Sequence, residues 1–168
     1  LNNPAFKLFQ MATLPGYRLE WPTGENRMLL VSIGTGLLPK EIVQLGFREK
    51  QIGTTMVNAL QSLICASTAE VDIQCRAFGR VLASDAIDGE VGDFVGEMPA
   101  DGTPQYTYVR YNGLLTPEGL AQLNCADLIS KTTFRLDDLA AIDPCALVGD
   151  AIAEKHVKSA HFSGFPHS

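Results

Sequence analysis

The chain has 168 residues, 46% of them hydrophobic, with a mean hydropathy of +0.07 and a formal charge of −6, which describes one soluble globular unit. That balance excludes a binder of nucleic-acid backbone, which needs clustered Lys and Arg, and no apolar run of ~18 residues is present to span a bilayer. Cys65, Cys75, Cys125 and Cys145 lack zinc-site spacing and read as buried, reduced thiols of a cytoplasmic protein.

No charged-then-apolar leader opens the sequence, and its first residue is Leu1 rather than Met, as expected of a chain that begins inside a longer one. Asn3-Pro4 caps a helix carried by Ala5, Leu8, Phe9 and Ala12, and Leu14-Pro15-Gly16 stops it. After a polar turn at 22–26, Met28 to Gly34 is expected to be a parallel strand buried on both faces, opening into the Gly34-Thr35-Gly36 loop. Such a strand needs neighbours, because each unpaired buried backbone group costs ~1–3 kcal/mol. Only Tyr17–Trp21 and Tyr106–Tyr111 also look extended, and both read as edge or hairpin pieces. The expectation is therefore an α/β fold, a single unit over 1–168, whose sheet is completed elsewhere.

An irregular segment with Pro39 and Gly46 leads to a helix over 49–65 with a wide apolar stripe, Ile52, Met56, Val57, Leu60, Leu63 and Ile64. Ser67-Thr68-Ala69-Glu70 has capping-box spacing and predicts a second helix to about Ala83, burying Val71, Cys75, Phe78 and Leu82. Residues 86–105 lack periodicity and form a long acidic surface loop. Tyr106–Tyr111 alternates, as a strand exposed on one side does. Thr116-Pro117 and Asp143-Pro144 start two further helices, the last running to about Phe162.

No complete catalytic constellation emerges. Ser32 is followed by Gly34 but preceded by Leu30, so the nucleophile elbow Gly-x-Ser-x-Gly is half present, and a serine within a buried strand is the better description. Gly34-Thr35-Gly36 carries two of the three glycines of a dinucleotide loop, with Pro39 at the third position; a nucleotide-phosphate site there stays open as a minor reading. His156 extends the Val148, Ile152 line of the last helix as a packing residue. The carboxylates from Asp85 to Asp101 do not follow the calcium-loop order.

Three segments together carry a resemblance: Asn2-Asn3-Pro4-Ala5, then Ser32-Ile33-Gly34-Thr35-Gly36, then Tyr108-Val109-Arg110-Tyr111-Asn112. With the closing helix Ala153–Lys158 they resemble the C-terminal half of bacterial patatin-like phospholipases, over nearly the whole chain. The resemblance implies the C-terminal part of a patatin-like sheet-and-helix sandwich, from a lipid acyl hydrolase with a Ser-Asp dyad and no metal or organic cofactor. Its partners would be a lipid or ester substrate and the missing N-terminal half. The glycine-rich oxyanion stretch, the Gly-x-Ser-x-Gly nucleophile and the Asp-Gly-Gly/Ala base of that family are absent here; the base would lie a few residues before Leu1. The chain is therefore expected to contain no catalytic residue and to be inert alone, with Asn2, Asn3, Gly34, Thr35 and Gly36 beside the active site as cap and turn residues. The alternative is a non-catalytic interaction domain of the same fold, using Tyr106, Tyr108, Tyr111 and the acidic loop as its contact surface.

Overall fold

The computed structural model describes residues 3–37, 52–88, 90–128 and 139–165. The segment with Pro39 and Gly46, the expected helix start at Glu49 and Asn2 lie outside the described residues, as do the side chains of the stripe from Ile52 to Ile64 other than Leu63. The fold is mixed α/β: helix α1 (Ala5–Thr13), strand β1 (Leu29–Ile33), helix α2 (Ile52–Phe78), strand β2 (Gly79–Ala83), strand β3 (Tyr106–Tyr111), helix α3 (Pro117–Gln122) and helix α4 (Ile142–His156), with short 3-10 turns between them. The three strands are parallel, in the spatial order β1-β3-β2. Strands β1 and β2 are joined by the long crossover that parallel pairing requires, and the strand last in sequence lies between them.

Five expectations change. The two helices placed over 49–65 and 67–83 are one, α2, because Cys65-Ala66-Ser67 contains neither Gly nor Pro to stop the first. A capping-box spacing has no free amides to satisfy when the helix runs through it. Gly79 ends α2: a Cβ there would lie 2.6 Å from the Tyr106 ring, and Gly79–Ala83, expected to be helical, is β2. Phe78 and Leu82 consequently do not share a buried helical stripe with Cys75; Phe78 is exposed. The Tyr17–Trp21 stretch forms no strand, only a 3-10 turn at Pro15–Tyr17.

The third change exchanges the roles of two strands. The strand placed at 28–34 is Leu29–Ile33 and lies at an edge; Leu30 and Ser32 are buried, but Val31 and Ile33 face outward, Ile33 at 78% exposure. The strand expected at an edge, β3, is central, and all six of its residues are buried. Its polar atoms are satisfied inside the protein: the Tyr106 hydroxyl donates to the Cys75 carbonyl at 3.0 Å, and the Tyr108 hydroxyl to Asp72 Oδ1 at 2.8 Å. Bonded in this way, a buried phenol adds a large apolar body to the core without the cost of a lost hydrogen bond. Fourth, the thiols are not uniformly buried: Cys75 is, Cys125 is half-buried and Cys145 is exposed.

Helices α1 and α2 pack together against the sheet, in a core of Ala5, Leu30, Cys75, Val81, Tyr106 and Tyr108, with Phe9 edge-on to Tyr106 at 4.7 Å. Helix α4 contacts β3 and carries Val148 into a second cluster with Leu120, Leu123 and Leu128. Thr116 caps α3 as its sequence predicts, its Oγ1 accepting from the Gly119 amide at 3.1 Å. Fifth, the last helix begins at Ile142 with Ala141 before it and no side-chain cap, so Asp143-Pro144 lies within its first turn rather than starting it. It stops at His156, before the expected Phe162, and a 3-10 turn at Ser159–His161 follows. Among the described residues no helix is long and apolar enough to cross a membrane.

Candidate functional site

In open parallel sheets, ligands collect at the carboxyl ends of the strands, and the Gly34-Thr35-Gly36 turn stands there. The Gly34 amide donates to the Tyr111 carbonyl at 2.8 Å, and the Gly36 amide to Asn112 Oδ1 at 3.0 Å. Pairing with the β3 side resumes at Leu37 opposite Leu114. Both glycines are demanded by this packing. A Cβ on Gly34 would fall 2.2 Å from Asn112 Oδ1; Gly36 has φ +90°, and a Cβ there would lie 2.7 Å from Leu115. Thr35 is exposed. With the amides of Gly34 and Gly36 already engaged, the turn offers no cradle for a phosphate, and the nucleotide reading loses its basis.

Asn3 is 4% exposed; its Oδ1 accepts from the Ala5 amide at 3.2 Å, so it serves the start of α1 as expected. Its amide nitrogen is buried with no hydrogen-bond partner among the described residues. No hydrogen bond among those residues joins Asn3 to the Gly34–Gly36 turn.

Beside the turn, on the α2 side of the sheet, lies a buried polar network that the sequence did not announce. Asp72 is its hub: Oδ2 accepts from Arg76 Nη2 at 2.5 Å and lies 3.6 Å from Arg110 Nε, while Oδ1 takes the Tyr108 hydroxyl. Arg110 Nη1 donates to Ser32 Oγ at 2.6 Å, across the β1–β3 register pair. Burial, reinforced by the Asp72 charge, holds the Tyr108 phenol far above its ordinary range and pushes the Cys75 thiol up to about 12. Both stay neutral at physiological pH. Ser32 has a guanidinium as its partner, a group with no acceptor site, so its hydroxyl lacks a base there and this serine is not an activated nucleophile.

Arg76 also fastens the acidic loop. Its Nη1 donates to the carbonyls of Asp85 and Asp93, at 2.8 and 3.1 Å. The loop's carboxylates serve its own backbone: Asp88 accepts from the Glu90 and Val91 amides, Asp93 from Val95 and Asp101 from Thr103. These are Asx turns. Among the described residues no cluster of three His, Cys, Asp or Glu could hold a metal. Burial raises Asp85 above its ordinary value, against the opposing pull of His156, Arg76 and Arg110.

A signal for the network existed in the sequence. Asp72 and Arg76 are spaced i, i+4 beside the Val71–Cys75 stripe, which puts an ion pair next to a buried helix face. Comparison of the chain with protein-family models, with curated proteins and with solved structures finds no match.

Proposed function

We propose that this chain is the C-terminal portion of a patatin-like lipid acyl hydrolase whose Ser-Asp dyad lies upstream of it, and that the chain alone does not hydrolyse esters. One observation carries the reading. Ser32–Gly36 and Tyr108–Asn112, separated by some seventy residues, continue from adjacent parallel strands into one turn, closed by the bond from Gly36 to Asn112. Two of the segments that bear the resemblance thus form a single piece of scaffold at the end of the sheet where chemistry is placed. In this reading Asn3, Gly34 and Gly36 shape the floor beside the dyad. The upstream Asp takes the proton of the upstream Ser, the Ser attacks the ester carbonyl, and backbone amides hold the oxyanion. Neither a metal nor an organic cofactor takes part, and the substrate is a lipid or related ester met at an interface.

Intact-mass measurement with N-terminal peptide sequencing of the native protein tests this. Peptides upstream of Leu1 containing Gly-x-Ser-x-Gly and Asp-Gly-Gly/Ala, with labelling of that serine by a fluorophosphonate, are the expected result. A fluorophosphonate adduct on the 168-residue chain itself would contradict its inertness, and an upstream sequence without the serine motif would remove the enzyme.

A second reading, a non-catalytic interaction module, is favoured by the exposed side chains of Val31 and Ile33 on an edge strand. Its contact surface is not the one expected from the sequence, because Tyr106 and Tyr108 are fully buried and Tyr111 nearly so.

A further inference from the structure

Between α4 and the carboxyl ends of β1 and β3 lies an apolar pocket of about 150 Å³, walled by Ile33, Gly34, Tyr111, Gly149, Ile152 and Val157. The two polar side chains on its wall are already engaged. The Tyr111 hydroxyl is hydrogen-bonded to His161 Nδ1 at 2.8 Å, with the imidazole stacked on the phenol ring, and Asn112 Oδ1 holds the Gly36 amide. Among the described residues no carboxylate, ammonium or guanidinium lines the pocket, so a charged group entering it would lose hydration without gaining a partner from them. A hydrocarbon group has no such loss. A volume of about 150 Å³ matches a group of about six carbons, here in a pocket open to solvent, because Ile33, Gly149, Ala153 and Val157 on its wall are themselves exposed. The exposed Ile33 leaves one side open, so the rest of a longer molecule can remain outside.

We propose that this pocket is a binding site for the end of a short hydrocarbon chain, about six carbons deep. That the chain is an acyl tail rests on the acyl hydrolase reading; the pocket's preference for hydrocarbon does not.

Straight-chain alcohols from butanol to decanol, titrated into the full chain and followed by backbone amide shifts, test the site. The expected result is saturable shifts centred on Gly34, Asn112 and Ile152. Affinity should rise about fourfold per added methylene up to about six carbons, then level off. Gly149 lines the pocket, and a Cβ there meets nothing within 4 Å, so a side chain can be added at this position; Gly149→Leu is expected to compete for the pocket and weaken hexanol binding about tenfold. Ala153→Leu, at another lining position, should do the same and serves if Gly149→Leu disturbs the fold. Shifts that do not saturate, affinity independent of chain length, or unchanged binding in both filled variants would overturn the site. Localised, length-dependent binding alongside a native protein that cleaves no ester would remove the acyl assignment and leave the pocket. Ester cleavage without localised alcohol binding would remove the pocket and leave the enzyme.

Discussion

The two edges of the sheet are treated in opposite ways. At β2 the acidic loop folds back over the strand: the Gly96 amide donates to the Val81 carbonyl at 3.3 Å, Phe94 packs on the core, and Arg76 ties the loop down through the carbonyls of Asp85 and Asp93. At β1 nothing comparable is found among the described residues. The Met28 carbonyl and the Gly34 amide both point to β3, so by alternation the backbone groups of Leu29, Val31 and Ile33 point away from it. An uncovered, apolar strand edge invites another strand. Among the described residues, one edge is thus protected by a loop and a buried arginine and the other is left uncovered.

The largest effect is expected at the hub of the protected side. Asp72→Ala leaves two buried arginines without their shared carboxylate and should cost about 3–5 kcal/mol, roughly 10 °C in thermal midpoint. Arg76→Met is expected to cost about 2–3 kcal/mol and to act on one edge only. Hydrogen exchange should quicken at Gly96 and protease cleavage appear within 84–105, while β3 amides paired to β1 keep their protection; uniform loss would break the contrast between the edges. Gly34→Ala forces Asn112 aside and should cost about 1–3 kcal/mol, with much of the loss recovered in an Asn112→Ala background. Ile33→Thr should lie within about 0.5 kcal/mol in this chain and cost clearly more in a longer polypeptide that covers β1, so denaturant titration of both forms sharpens the comparison.

The smallest effect concerns pH. Asp85 has a raised value in the folded protein, so the native state binds this proton more tightly than the unfolded chain does. The stability from that proton is present below the unfolded value and is lost as pH rises through the folded one. Asp85→Asn, which never ionises, should therefore raise the thermal midpoint at pH 7 and lose that advantage in strong acid.

The sequence made some elements plain and disguised others. Helix starts were legible at Asn3-Pro4 and Thr116-Pro117, because capping is a local matter between adjacent residues, but not at Asp143-Pro144, which lies inside the first turn of α4. Strand β2 was hidden because Val71, Cys75, Phe78 and Leu82 continue a helical period by coincidence; only Gly79 marked the break. The place of β3 was hidden because Tyr, Thr and Arg look solvent-facing until Asp72, Ser32 and the Cys75 carbonyl are brought to them from distant parts of the chain. At the candidate site the Gly34–Gly36 turn was recognisable as a turn. Asn112, which makes Gly34 necessary and accepts from the Gly36 amide, lies 76 residues from Gly36, beyond the reach of any local pattern.

The strand order β1-β3-β2 also dictates a sequence of events in time. Among the described residues β1 and β2 pair only with β3, so a nascent chain that has emerged as far as Gln105 holds both strands without the one that joins them. The tyrosine-rich strand must enter between them, closing two long loops in one step, and such non-local closure is slow. Until then the exposed apolar strands are a liability for aggregation during synthesis. Release of residues 106–111 from the ribosome is the moment at which these three strands can first come together.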